Sequence, residues 1–188
     1  RKTGTFEKIL LELSKLAYAE GKLDVNEAFI DATFAPAKKR GECVGPTKKG
    51  KGTKLMAIVE KQGYPIGLYV ASASPAEVKL VEKTLDSITL AEMPRCLIGD
   101  KAYDTDQLDK RLKEKYEIQL IAPNRRNRQK SQDGRSLRRY KRRWKVERFF
   151  AWLQSWRHIT VRYDYYVENY FSMIQLACIM IYLNLILR

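Results

Sequence analysis

The spacing of apolar residues changes along this 188-residue chain, and each change marks an element. Between Phe6 and Glu20 apolar side chains recur every three or four residues (Ile9, Leu10, Leu13, Leu16, Ala17). This predicts an amphipathic helix over 6–20, stopped by Gly21. The period then shortens. AFIDATF (28–34), LMAIVE (55–60) and IGLYVAS (66–72) are compact apolar runs, and QGYP between the last two predicts a hairpin. A loop rich in Gly, Pro and Lys (35–54) separates the first run from the second. SPAEVKLVEKTLDSI (74–88) reads as a helix, with Ser74 as N-cap and Glu77 three residues on, the capping-box pattern. RCLIGD (95–100) and IQLIAP (118–123) read as buried strands. Between them a helix runs to Tyr116, capped by Asp104 or Thr105, with Asp104 preferred. A polar loop around Ser131–Gly134 leads to a helix over about 137–156, and a last helix covers roughly 166–187. The order β-β-β-α-β-α-β-α-α predicts an α/β fold, a mixed five-stranded sheet flanked by helices.

Charge sharpens this picture. The net charge is +14, but Arg125–Arg148 alone holds twelve basic residues and two acids. A block so one-signed points to a polyanion, nucleic acid before a membrane, since no clean apolar stripe lies opposite its charges. With 45% apolar residues the chain also has the means to build a core. The apolar tail Phe171–Leu187 is interrupted by Ser172, Gln175 and Asn184, so a buried C-terminal helix is expected and no membrane contact. Cys43, Cys96 and Cys178 lack zinc-binding spacing and read as reduced, mostly buried thiols of a cytosolic protein. His158 reads as a helix-end or surface residue rather than a general base.

Three acids stand in odd places. Asp31 interrupts an apolar strand, Asp100 ends one, and Glu147 sits inside the basic helix. Taken singly, each has a plain reading: a solvent-facing strand residue, a turn or cap, and an ion pair with Arg143 or Arg148. Taken together they suggest metal chemistry. Two divalent ions held by carboxylates can clamp the attacking and leaving oxygens of a phosphoryl displacement, and surrounding cations hold the nucleic acid. Tyr140, Arg143, Glu147 and Gln154 are spaced by three, four and seven residues, which keeps them on one helix face. Val146, Phe149, Leu153 and Trp156 form the adjacent core face, while Trp144 is open to stacking. Lys48, Lys49, Lys51 and Lys54 read either as a solvated loop or as a phosphate grip close to Asp31.

With these motifs in hand, the chain resembles the catalytic domain of DDE transposases from bacterial insertion sequences, the group numbered five above all. FIDATF resembles the strand of the first Asp, LIGDKAYDTD the motif of the second, and YKRRWKVERFFAWLQSWR the helix of the third acid. That helix is written in the family as Tyr, two residues, Arg, three residues, Glu, six residues, Lys. Tyr140, Arg143 and Glu147 match, and Gln154 replaces the Lys. The resemblance implies a ribonuclease-H-like fold over 25–188, with 1–24 a helix left from, or linking to, a longer N-terminal region. It implies Asp31, Asp100 and Glu147 as catalytic and metal-holding acids for two Mg²⁺ or Mn²⁺ ions. DNA contacts are expected from Tyr140, Arg143, Gln154, Trp144, Arg139, Arg142 and the lysines Lys48, Lys49, Lys51 and Lys54. The implied function is cleavage at the ends of a mobile element and transfer of the 3′ ends into target DNA. The implied partners are terminal inverted repeats, target DNA and a second copy of the chain in a dimer, in the bacterial cytoplasm near the nucleoid. The other reading is a truncated, catalytically silent DNA-binding product.

Overall fold

Met56, Ala57, Ile58 and Val59 follow one another along a strand, and all four are fully buried. Successive strand side chains point to opposite faces, so the sheet is covered on both sides there. The strand belongs to a computed structural model that describes residues 4–126 and 134–187. In chain order its elements are α1 Thr5–Ala19, β1 Glu27–Pro36, β2 Gly45–Thr47, β3 Gly50–Glu60, β4 Pro65–Ser72, α2 Val81–Leu85, β5 Cys96–Ile98, α3 Asp106–Tyr116, β6 Gln119–Ile121, α4 Gly134–Leu137, α5 Trp144–Gln154, α6 Arg157–Thr160 and α7 Val167–Ile186. Most of the polar loop expected around Ser131–Gly134 lies outside the described residues.

β1 is central. It pairs antiparallel with β3 on one side and parallel with β5 on the other, and β6 runs parallel outside β5. β3 carries two partners on its outer edge: β4 along Thr53–Val59 and the short β2 along Gly50–Gly52. The sheet thus has six strands but is five wide, and the extra strand comes from within the expected 35–54 loop. α5 packs on β1 and β3, α2 on β3 and β4, and α3 on β6. α7 is long and apolar enough to cross a membrane, but here Tyr170, Ile174, Ala177, Cys178 and Tyr182 are buried and the helix packs on α1, α5 and β4. Leu10 and Ala17 of α1 enter the same core.

Three expected elements differ. The helix over 74–88 shrinks to a 3₁₀ turn, Glu77–Leu80, followed by α2. Its capping box does not form, because the Ser74 hydroxyl donates to the carbonyl of Pro46 and Glu77 accepts from the hydroxyl of Tyr103. The helix over 137–156 is divided: α4, a 3₁₀ turn over Arg138–Arg142, then α5. Arg139 and Arg142 both reach Glu27 on β1 (3.2 and 2.6 Å), so a tether from the sheet fixes that turn. Finally, Thr105 rather than Asp104 caps α3: its hydroxyl accepts from the Leu108 amide.

Candidate active site

The site begins with the parallel pairing of β1 and β5. Ala28 lies opposite Leu97 and Phe29 opposite Ile98. Asp31 lies two residues beyond that paired run on β1, and Asp100 two residues beyond it, after β5 has ended; the charge of Asp100 is close enough to raise the Asp31 carboxyl. The polypeptide turns sharply there. The Asp100 carboxylate accepts from the amide of Ala102 (2.7 Å) and opens a 3₁₀ turn over Lys101–Tyr103. Glycine is needed at 99, since a Cβ there would lie 2.7 Å from the ring of Tyr103. Tyr103 is fully buried and donates its hydroxyl to Glu77 (3.0 Å). Arg125, from the basic block, braces the other side of the turn by donating to the carbonyls of Lys101 and Ala102.

The third acid comes from α5. Arg143, just before that helix, donates to Asp31 through one nitrogen (2.5 Å) and to Glu147 through another (2.6 Å). One guanidinium therefore bridges carboxylates contributed by the sheet and by the helix. Tyr140 lies beneath, with the guanidinium carbon 5.9 Å from its ring centre. Two of the plain readings hold: Glu147 does pair with Arg143, and Asp100 does cap a turn. Asp31 is not simply solvent-facing, its side chain being 19% exposed.

The electrostatics follow from this crowding. Burial, and to a smaller extent the charge of Asp100, push the Asp31 carboxyl above its usual range, against the pull of the Ala32 amide and Arg143. Glu77 is likewise raised, chiefly by burial, with Asp31 and Asp100 adding to it. Burial opposes the charge of Arg143, but Asp31 and Glu147 outweigh it and hold the guanidinium above its ordinary value. Among the described residues no three acid, His or Cys side chains stand close enough to share one ion; the Arg143 guanidinium lies between two of the three candidates. The carboxylate oxygens of Asp31, Asp100 and Glu147 are hard donors, the kind that divalent cations take.

The remaining candidates divide. Lys48 and Lys49 on the β2–β3 turn and Lys51 at the start of β3 are exposed, whereas Lys54 points inward, donating to the carbonyl of Pro75 and lying 3.8 Å from Glu77. Arg139 and Arg142 are held by Glu27. Trp144 is 47% exposed, with Lys145 and Arg148 over its ring. Gln154 is exposed two turns beyond Glu147. His158 is exposed and pairs with Asp164 (2.9 Å). Sequence reasoning did not find Glu77 and Tyr103 beside the acids. Glu77 was absorbed into a capping box, and only the place of Tyr103 three residues after Asp100 pointed to it.

Comparison with known proteins completes the description. The transposase DDE domain family matches residues 26–182. The chain belongs to the DDE transposase family. A Burkholderia cepacia protein assigned as a transposase for insertion sequence element IS402 is 24% identical, over 76% of this chain and 69% of that protein. Among solved structures, the piggyBac transposase synaptic complex with hairpin DNA is similar at a TM-score of 0.59 and 13% identity, over 85% of this chain. This chain spans about half, 47%, of that transposase. The Mos1 strand transfer complex is a weaker likeness, at a TM-score of 0.37 and 10% identity over 96% of this chain and 62% of that one. The fold of this DDE domain is ribonuclease-H-like, as the resemblance implied, and the family uses divalent metal ions.

Proposed function

We propose that this DDE domain cuts DNA at the ends of a mobile element and joins the freed 3′ ends to target DNA, with Asp31, Asp100 and Glu147 as its catalytic acids. The observation that carries the reading is the shared guanidinium: Arg143 ties Asp31 to Glu147, while Asp100, just past the end of the neighbouring strand β5, is near enough to raise the Asp31 carboxyl. The three acids would hold two Mg²⁺ or Mn²⁺ ions, which when bound activate the attacking oxygen and stabilise the leaving one. The protein's own groups do the rest. Asp100 is oriented by the Ala102 amide and by the turn that Tyr103 anchors. Arg143, with Tyr140 against it, is placed to leave the carboxylates and take a DNA phosphate, a planar donor exchanging one set of oxygens for another. Lys48, Lys49, Lys51 and Trp144 supply exposed contacts to the backbone or a terminal base, and Gln154 a neutral hydrogen bond where the family pattern has Lys.

The partners on this reading are terminal inverted repeats and target DNA, with two chains pairing two ends, in the bacterial cytoplasm near the nucleoid. The test is metal-dependent nicking of DNA that carries the element's own ends, against scrambled ends. Asp31→Asn, Asp100→Asn and Glu147→Gln should each abolish nicking while salt-sensitive DNA binding persists. A wild-type chain that binds such DNA but never nicks it would support the catalytically silent product instead, and nicking without regard to end sequence would indicate a general nuclease.

A further inference from the structure

At the far end of β1, three stretches of chain come side by side. The Ala37 amide donates to the carbonyl of Lys51, at the start of β3. On its other side Ala37 bridges to Arg162, with backbone hydrogen bonds from Arg162 to Pro36 and from Lys38 to Arg162. The segment after α6 thus joins the end of β1 by a single parallel bridge. It is locked in from both directions. The fully buried Arg162 donates to the Thr53 hydroxyl and to the carbonyls of Asp164 and Tyr165. Gly41 lies so close that a Cβ there would meet the Tyr165 carbonyl at 2.5 Å.

What this locked edge displays is unusual for a solvated surface. Tyr163, Tyr165 and Tyr166 are 55%, 58% and 50% exposed, so half or more of each is left outside the core. Tyr165 and Tyr166 stand edge to face with ring centres 5.2 Å apart. Beside them lie Lys38, Lys39 and Arg40, and across β1 the exposed Lys48, Lys49 and Lys51. Among the described residues none of these six cations forms an ion pair. The nearby acids are engaged elsewhere: Glu42 accepts from the Val167 amide at the start of α7, and Asp164 pairs with His158.

We infer that this end of the sheet is a landing surface for an unpaired stretch of DNA next to the cut, its bases stacking on Tyr163, Tyr165 and Tyr166 and its phosphates held by the two lysine-rich loops. The inference rests on the DNA-processing reading above and adds the form of DNA and the residues that sort it. Exposed aromatic faces can stack only on bases that are free of a duplex, whereas cations serve single and double strands alike. The placement fits. Pro36 lies five residues along β1 from Asp31, about 17 Å at strand rise, within reach of a few nucleotides leaving the acids. The backbone of the segment is fixed by its bonds to Pro36 and Lys38 and by the buried Arg162, so the exposed rings stand on a rigid platform that is organised before a strand arrives.

The test is DNA binding by the full chain without divalent ions, so that cleavage plays no part. Two probes are compared at equal length: a blunt duplex, and a duplex with a six-nucleotide single-stranded extension carrying 2-aminopurine. The wild-type chain should bind the extended probe more tightly and quench its fluorescence. Tyr163→Ala, Tyr165→Ala and Tyr166→Ala should each weaken the extended probe at least about five-fold and leave the blunt duplex unchanged, while the Phe replacements retain affinity and quenching. Lys38→Gln with Lys39→Gln should weaken both probes and flatten the salt dependence. Thermal melting of each variant checks that the domain remains folded. Equal binding of the two probes by the wild type, or equal losses on both for the Ala variants, overturns the inference but leaves the transposase reading standing. A wild type that binds neither probe overturns both.

Discussion

Replacing Arg143 with alanine removes the guanidinium that Asp31 and Glu147 share. The Asp31 arm joins side chains that are 22% and 19% exposed, so it is a half-buried charge-assisted hydrogen bond, a class worth about 1.5–3 kcal/mol. The Glu147 arm ends on a side chain that is 55% exposed and adds roughly 0.2–1 kcal/mol after solvent screening. The loss should be about 3 kcal/mol at neutral pH, or roughly 6–12 °C in melting temperature for a domain of this size. Its pH dependence has a definite sign. Asp31 already titrates above its ordinary value of 3.8, so its contribution is most favourable below that pH and declines as the group ionises. Without Arg143 the folded-state value climbs further. The Asp31-linked part of the deficit is therefore absent below about pH 3.8, opens as pH rises through the wild-type folded value, and is full above the variant's higher folded value. Saturating Mg²⁺ should recover part of it, because added positive charge at the acids replaces what the guanidinium supplied, and the Mg²⁺ midpoint should fall in the variant. Thermal melts of both proteins between pH 3 and pH 7.5, with and without Mg²⁺, check this. A deficit of equal size at both ends of the pH range and indifferent to Mg²⁺ would refute the idea that Arg143 stands in for a cation at the acids.

Three further outcomes are expected. Tyr103→Phe should cost about 1 kcal/mol in urea unfolding, the worth of its hydrogen bond to Glu77, and should slow nicking by loosening the turn that holds Asp100; unchanged nicking would separate that turn from the chemistry. Glu27→Gln releases Arg139 and Arg142, so it should lower stability by about 1–2 kcal/mol yet steepen the salt dependence of DNA binding. Gln154→Lys restores the cation of the family pattern and should steepen the slope of log affinity against log salt by about 0.9 if it meets one phosphate; an unaltered slope would show that this position does not reach the backbone.

The three candidate acids stand out in the sequence because each violates its surroundings: a carboxylate within an apolar run, one at the end of another, and one among cations. The strands β1, β4, β5 and β6 were legible from short apolar runs. Residues Gly50–Lys54 were not, since GKGTK has the composition of a loop and becomes strand only because β1, β2 and β4 offer hydrogen bonds on both sides. The helix over 74–88 failed for a related reason. Ser74 and Glu77 had the right spacing for a cap, but distant partners at Pro46 and Tyr103 took both side chains. The break before α5 depends on Glu27, more than a hundred residues earlier, and no local pattern can announce such a partner. The same holds for the tyrosine segment, whose strand-like pairing with the end of β1 follows from the burial of Arg162 rather than from any periodicity of its own.

The contact between Arg143 and Asp31 spans 112 residues of sequence. During synthesis the first two acids leave the ribosome well before the helix that carries the third, and domains tend to settle from the N-terminal side as they emerge. A nascent chain that has already formed β1 and β5 therefore still lacks the Arg143 bridge, because the guanidinium reaches Asp31 only when α5 docks across strands laid down much earlier.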